Sequence, residues 1–203
     1  AGGALTYAAS GLPSGLSIDE ATGVVSGTPS TAGLYSVTLT VGNGTASTSS
    51  RILWNTYVPG AEVGFVKLEA LSEIGGNSWT SMAEFGLLDT GGATIPRTGW
   101  AVSADSEETA GENGAAANAI DGDLNTFWHT QWSAGSSQLP HSFVVNLGAA
   151  RSVGGFKYRP RAGGGNGTIA AWRFYTSVDG VNWVLAAQGD FSDSGDPAAE
   201  KTV

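Results

Sequence analysis

A lone carboxylate stands in the apolar stretch SWTSMAEFGLLD (78–89). Met82 and Phe85 lie on either side of Glu84, and the stretch as a whole is typical of a buried strand. A carboxylate that is buried without a partner costs several kcal/mol, so it either becomes neutral or finds a cation. We therefore expect Glu84 to be protonated or to lie beside a cation.

A second group of oxygen donors occurs in NAIDGDLNTFWHTQW (118–132), where Asp121, Asp123, Asn125 and Thr126 surround a glycine. A hard cation such as Ca²⁺ takes six to eight oxygen ligands, and glycine permits the sharp turn that brings backbone carbonyls inward. The run lacks the D-x-D-x-D-G spacing and the final Glu of an EF-hand loop. From spacing alone, a plain turn without a metal is an equally good interpretation.

Several residues after and around this loop have the chemistry of a sugar site. Sugar recognition needs an aromatic plane for the apolar C–H face and planar donors or acceptors for neighbouring hydroxyls. His129 and Trp132 follow the acidic loop at a spacing that can place both on its rim. Arg161 and Asn166 occur together in YRPRAGGGNG, and Glu112 lies upstream in EETAGENG.

Other polar and aromatic residues fit structural roles. Trp128 is expected in the core, and a core or plain surface position is the alternative for Trp132. His141, in LPHSF, fits a structural hydrogen-bonding role and a second rim position equally well. The run DSEE (105–108) is typical of a solvated loop.

Composition favours an all-β protein and excludes some partners. Of 203 residues, 41% are hydrophobic, 13% are charged and 31 are glycine, which is typical of many short strands and turns. The net charge of −9 comes without a Lys/Arg cluster, so nucleic acid and anionic membranes are poor partners. The sequence contains no apolar run of about 18 residues, so no membrane span is predicted. With two His, no Cys and no G-x-S-x-G motif, catalysis is not favoured, although the acidic residues are numerous enough for a glycosidase pair.

Residues 1–57 alternate short apolar runs with turn residues, and LYSVTLTV (34–41) has the period of two of a half-buried strand. The run GLPSGLSIDEATGVVSGTPSTAG closely resembles the immunoglobulin-like, cadherin-like repeats of bacterial surface and secreted proteins. Such repeats usually carry further strands upstream. The resemblance therefore implies a partial immunoglobulin-like β-sandwich whose exposed edges invite strand exchange with a neighbouring chain or module.

Residues 58–203 predict a second β-sandwich. Eight runs from VGFVKLEA to EKTV have the spacing of jelly-roll strands, and DGVNW is typical of a hairpin turn closed by a core Trp. AIDGDLNTFWHT, LPHSFVVNLG, GGFKYRPR and NGTIAAWRFYTSVDGVNW strongly resemble the discoidin, or coagulation-factor C-type, family. Within it they are similar to family 32 carbohydrate-binding modules and to the N-terminal domain of fungal galactose oxidase. Residues 65–88 resemble the last two strands of that domain, so we expect a circular permutation.

The resemblance implies a structural Ca²⁺ held by the acidic loop and by an Ala-Glu pair of the closing strand. The implied ligands are the Asn118 carbonyl, the Asp121 carboxylate, the Asp123 carbonyl, the Thr126 carbonyl and hydroxyl, the Ala83 carbonyl and the Glu84 carboxylate. Two carboxylates would neutralise the divalent ion. A helix N-cap or a Lys partner is the alternative for Glu84.

The resemblance also implies that Glu112, His129, Trp132 and Arg161 face a sugar. Arg161 would bridge two adjacent hydroxyls, His129 would bind an axial hydroxyl and Trp132 would stack. Gly167 departs from the pattern, since at least one galactose binder has an acidic ligand there. Asn166 compensates for it, or the specificity differs.

The expected protein is an extracellular, non-catalytic, calcium-stabilised carbohydrate-binding module for galactose-type glycans. An adhesion or structural module with no sugar ligand is the main alternative, and an enzyme is the third.

Overall fold

The computed structural model describes residues 3–58, 60–135, 137–163, 165–192 and 195–203. Apart from one turn of 3-10 helix at Ala116–Ile120, all regular structure in the described residues is strand, which confirms the prediction of an all-β protein. No helix in the described part of the chain has the length and apolarity needed to cross a bilayer.

The first segment folds into one antiparallel sheet and one hairpin. Its strands are β1 (Thr6–Ser10), β2 (Leu16–Ile18), β3 (Val25–Gly27), β4 (Gly33–Gly42) and β5 (Ser47–Thr56). The sheet has the order β1-β4-β5, and β2 pairs with β3. The alternation predicted for 34–41 appears only over 34–37, where Val37 is fully buried, and the rest of β4 is uniformly half-buried. Strand β5 forms an edge of the sheet.

The second segment is a jelly-roll sandwich. Its strands are β6 (Glu62–Ala70), β7 (Ser81–Met82), β8 (Glu84–Leu88), β9 (Ala101–Ala104), β10 (Trp128–His129), β11 (His141–Ser152), β12 (Gly155–Arg159), β13 (Ala171–Ser177), β14 (Val184–Asp190) and β15 (Lys201–Thr202). One sheet has the order β14-β13-β6-β11-β9, another has the order β15-β12-β8, and β10 pairs with β7.

Strands β6 to β8 are integral to this sandwich although they come early in the chain. Strand β6 lies at the centre of the five-stranded sheet, antiparallel to both β11 and β13. Strand β8 pairs with β12 over five residues on each strand, with Phe85 opposite Tyr158 and Glu84 opposite Arg159. The early strands thus complete the sheets that the later part of the chain forms, as the predicted permutation requires.

Aromatic rings fill the space between the sheets. Phe156 stacks on Phe174 with ring centroids 4.8 Å apart and meets the edge of Trp172 at 5.0 Å. Trp128 is 1% exposed, which confirms its expected core position. Trp183, predicted to be a core residue, is only partly buried, and the Lys67 ammonium lies 5.2 Å from its ring. The hairpin turn does not bring that ring between the sheets.

Candidate functional site

One cavity of about 310 Å³, here called the first cavity, gathers the residues expected to face a sugar. Its lining is Trp79, Glu112, His129, Trp132, Arg161 and Asn166. Trp79 was not predicted, although a Trp in the polar run GGNSWTS just before a strand is a signal for an aromatic on a loop. A larger depression of about 560 Å³ lies on the first segment, but small residues dominate its lining and Glu20 is its single charged group.

Trp132 and Glu112 form one side of the first cavity. The indole Nε1 donates a hydrogen bond to Glu112 Oε1 at 3.0 Å, and Trp132 remains 42% exposed. Gly111 allows this placement, because a Cβ there would lie 2.9 Å from two ring atoms of Trp132. The hydrogen bond holds both the ring and the carboxylate in place.

His129 presents a hydrogen-bond acceptor to the first cavity. The residue is 3% exposed, and its Nδ1 lies 2.6 Å from the Thr130 carbonyl oxygen. Since a carbonyl oxygen can only accept, Nδ1 carries the hydrogen. With the hydrogen on Nδ1, Nε2 is the acceptor whenever the ring is neutral.

Arg161 is the cation of the first cavity. Its guanidinium carbon lies 5.4 Å from the centre of the Phe127 ring, which is within cation–π distance. None of the ion pairs among the described residues involves Arg161. Asn166 is exposed, and its backbone oxygen accepts a hydrogen bond from Ser81 Oγ at 2.8 Å.

The backbone explains why Gly167 carries no acidic side chain. Its φ is +85°, and a Cβ would lie 2.5 Å from the Ser81 nitrogen. A side chain would therefore be strained and would also collide with the neighbouring backbone. Asn166, directly before Gly167, is an exposed polar side chain of this loop that lines the first cavity.

A buried carboxylate, Glu108, ties together two loops of the site. Glu108 is 0% exposed, so the prediction that DSEE is a solvated loop was wrong at this position. One oxygen accepts from the backbone of Ala110 and Gly111, and the other from the backbone of Trp132 and Ser133, at 2.7–2.9 Å. The hydrogen bonds from Gly111 and Trp132, helped by others, hold the pKa of Glu108 well below its ordinary value.

Glu73 is a second buried carboxylate that joins two loops of the site through backbone hydrogen bonds. It is 7% exposed, and its carboxylate accepts from the backbone of Asn77 at 2.9 Å and of Gly167 at 3.3 Å. This acidic residue of the early segment therefore positions the loop that carries Asn166. Sequence reasoning missed it because its partner is 94 residues away along the chain.

His141 has the structural role, not a position on the rim. It is fully buried, with Nδ1 2.8 Å from Asp105 Oδ2 and Nε2 2.9 Å from the Ser78 carbonyl oxygen. Burial acts to raise the pKa of Asp105, but hydrogen bonds from His141 and from the Ser142 backbone outweigh it and lower the pKa. His141 thereby anchors the residue before Trp79.

The acidic loop brings three of the expected calcium ligands together. Thr126 Oγ1 lies 2.7 Å from Asp121 Oδ2 and 2.9 Å from the Asp123 carbonyl oxygen. The expected ligand atom of Asn118 is its carbonyl oxygen. Its side-chain amide nitrogen donates to the carbonyls of Asn113 and Phe127 and closes the loop. In the described residues no three His, Cys, Asp or Glu side chains form a metal cluster, so a metal here needs carbonyl and hydroxyl oxygens.

Glu84 reaches this loop from strand β8. It is 8% exposed, and its Oε1 accepts a hydrogen bond from the Gly122 backbone at 2.6 Å. Its Oε2 contacts the guanidinium of Arg97 but accepts no hydrogen bond from the described residues. Ala83 lies in the break between β7 and β8, directly before it. The cationic partner of Glu84 is thus Arg97, which was not predicted and whose sequence context, TIPRTGW, gave no signal.

Replacing Glu108 with Gln should lower the melting temperature by several degrees and change its pH dependence. The amide nitrogen of Gln would face backbone N–H donors and leave them unpaired. Because the folded pKa of Glu108 is lowered, its stabilisation is complete above the unfolded value of about 4.3 and is lost as the pH falls further. Thermal melts from pH 6 to 3 should show a shallower acid loss in Glu108→Gln than in the unsubstituted protein. Glu200→Gln, in an exposed pair with Lys157, is the control and should leave the slope unchanged.

Parts of several known proteins are similar in sequence to this chain. The chain is 38% identical over 122 residues to a sialidase of Micromonospora viridifaciens, covering 59% of this chain and 18% of the relative. It is 37% identical over 107 residues to a galactose oxidase of Gibberella zeae, covering 51% and 15%. A third relative is an A type blood N-acetyl-alpha-D-galactosamine deacetylase of Flavonifractor plautii, with 30% identity over 146 residues, covering 72% and 18%. The chain thus spans less than a fifth of the length of these relatives.

Family models account for both segments. Residues 1–56 match the model described as "Putative Ig domain", which ends where β5 ends. Residues 101–203 match the F5/8 type C domain model. Strands β6 to β8 lie outside that second match although they pair with strands inside it, and the permutation itself stays a prediction. Since the second match covers half of the sequence, the chain belongs to the F5/8 type C, or discoidin, domain family.

Proposed function

We propose that this chain is a non-catalytic carbohydrate-binding module, stabilised by calcium and selective for galactose-type glycans. The observation that carries the proposal is the convergence of a guanidinium, a carboxylate, an imidazole and an exposed indole on the first cavity. Arg161 only donates, a carboxylate such as that of Glu112 only accepts, and an imidazole whose Nδ1 carries the hydrogen, as in His129, accepts at Nε2 when it is neutral. Adjacent hydroxyls, which both donate and accept, match that set, and an indole suits the apolar face of a sugar ring.

Galactose-type sugars are the first candidates among glycans. A planar donor beside a separate acceptor suits an axial and an equatorial hydroxyl on neighbouring carbons. Two of the relatives are a galactose oxidase and an N-acetyl-alpha-D-galactosamine deacetylase, which supports this choice. An anionic ligand is less suitable, because Glu112 faces the cavity and the chain has a net charge of −9.

The content of the first cavity also supports a binding role without catalysis. Among the described residues, Glu112 is the single carboxylate of its lining, whereas glycosidases generally use two carboxyl groups that flank the scissile bond. The relatives are enzymes of which this chain covers only a small part. We therefore propose that the module directs an attached enzyme or a cell to glycans outside the cell.

The residues of the acidic loop fit a calcium ion. Ligands at about 2.4 Å in a pentagonal arrangement lie about 2.8 Å from their neighbours, close to the separations of Thr126 Oγ1 from its two oxygen partners. Glu84, buried at the start of strand β8, would supply a carboxylate oxygen to the ion while keeping Arg97 as its other cationic neighbour. Asn118, Asp121, Asp123, Thr126, Ala83 and Glu84 are the proposed ligands, and calcium would link the loop to strand β8.

We further propose that the edge of the first segment pairs with a neighbouring copy of the chain. Strand β5 spans ten residues and, among the described strands, pairs only with β4. Leu53 on this edge is 68% exposed, and Arg51 is the single charged residue of the strand. A long edge with so little charge is a template for strand addition.

Calcium should raise the melting temperature of the protein, and chelation should lower it. A ligand that binds only the folded state stabilises it by about 2.7 kcal/mol at a hundredfold excess over its Kd. Asp121→Ala and Glu84→Ala should abolish the calcium dependence, because each removes a carboxylate ligand. Glu20→Ala is the control, since it removes an exposed carboxylate of the first segment that is not a proposed ligand. Melting curves of all four proteins with calcium and with chelator test the site, and an unmoved unsubstituted curve contradicts it.

Galactose, lactose or N-acetylgalactosamine should bind with Kd on the order of millimolar to tens of micromolar, because a shallow site contacts few ligand atoms. Arg161→Ala should abolish binding by removing a charged planar donor, and Arg161→Lys should fail as well, since Lys lacks the fork. Trp132→Ala should weaken binding through lost stacking. Isothermal titration calorimetry measures each effect.

The exposed Arg151, which does not line the first cavity, provides the control Arg151→Ala and should leave binding unchanged. Binding that survives Arg161→Ala would move the site elsewhere. No heat with any sugar, together with a blank glycan array, would favour the adhesion or structural module.

Leu53→Lys should shift the protein towards the monomer, because a charge on an edge strand opposes strand pairing. Sedimentation velocity over a hundredfold range of concentration would show a concentration-dependent dimer in the unsubstituted chain and its loss in the variant. Val24→Lys, exposed in the turn between β2 and β3, is the control. A monomer at every concentration would contradict the proposed pairing.

A further inference from the structure

A second cavity adjoins the first. It has a volume of about 230 Å³ and is lined by Leu124, Asn125, Phe127, Arg161 and Ala162. Arg161 belongs to the linings of both cavities. Arg161 therefore borders both cavities, and the second cavity lies next to the first across this one side chain.

Arg161 has the capacity to serve both cavities. A guanidinium carries five N–H donors in one plane, and a pair of adjacent hydroxyls uses only some of them. The contact with Phe127, a residue of the second cavity, places the guanidinium beside that cavity. The remaining donors are available to a polar group on the other side.

The chemistry of the second cavity suits another sugar unit. Leu124 is 51% exposed and offers an apolar contact for C–H groups. The Asn125 amide nitrogen donates to Asp123 Oδ1 at 2.7 Å, which leaves its amide oxygen as an acceptor. Arg161 is the single charged group of the lining, and the carboxylates of Asp121 and Asp123 in the loop that carries Asn125 disfavour an anion, so a neutral polyol is the proposed occupant.

We propose that the two cavities form one extended site for a glycan of at least two sugar units. The terminal sugar occupies the first cavity, the next unit lies against Leu124 and Ala162, and Arg161 contacts both. This inference rests on the proposed function, since it needs a sugar in the first cavity. It adds that the ligand is the end of an oligosaccharide and that the acidic loop forms part of the contact surface.

The test compares a methyl galactoside with a panel of disaccharides that share a terminal galactose and differ in linkage and second unit. At least one disaccharide should bind roughly five- to tenfold more tightly than the methyl glycoside, through the added contacts. Leu124→Ala removes the apolar contact, and Ala162→Leu fills the second cavity. Each should reduce that advantage to within about twofold while leaving the affinity for the methyl glycoside unchanged.

Leu185→Ala, at a position 42% exposed on β14, is the matched control and should keep the advantage. If the methyl glycoside binds and no disaccharide binds more tightly, the extended site is wrong and the proposed function stands. If the advantage survives both substitutions, the second unit lies elsewhere and the inference is also wrong. If no sugar binds to the unsubstituted protein, the proposed function and this inference fall together.

Discussion

The site depends on buried carboxylates that are satisfied by backbone N–H groups from more than one loop. A buried charge is tolerated only where hydrogen bonds or cations compensate for the lost water. Glu108 meets this requirement with four backbone donors, two that follow it closely in the chain and two at Trp132 and Ser133. Because the charge cannot be left unpaired, the two loops are held at a fixed separation, and Glu112 and Trp132 lie where they can share a hydrogen bond.

The early segment of the sandwich provides two further buried carboxylates that hold loops of the site. Glu73 holds the loop of Asn166 through the Gly167 backbone, and Glu84 holds the acidic loop through the Gly122 backbone. Trp79 comes from the same early segment and lines the first cavity. Residues 62–88 therefore do more than complete the sheets, since they position three parts of the site. The arrangement of the site therefore depends on contacts between this early segment and loops much later in the chain.

The sequence was sufficient for the fold and for much of the cavity lining. Strands such as β4, β6 and β13 are recognisable from the periodicity or the length of their apolar runs. The five residues expected to line the sugar site lie in segments whose polar and aromatic composition indicates a binding surface. The roles of Glu108, Arg97 and Glu73 could not be read in this way. Each is defined by a partner on another strand or loop, and a charged residue in a polar run looks the same whether tertiary contacts bury it or not.

The segment from Asn118 to Trp132 forms the acidic loop and contributes residues to both cavities. Its first half forms the acidic loop, Phe127 supports Arg161, and His129 and Trp132 line the first cavity. A ligand that had to order such a segment would lose affinity to conformational entropy. Here the hydrogen bonds within the loop, the pairing of β10 with β7 and the clamp at Glu108 already order it. A shallow surface with few contacts per ligand needs this preorganisation, because little binding energy is available for rearrangement.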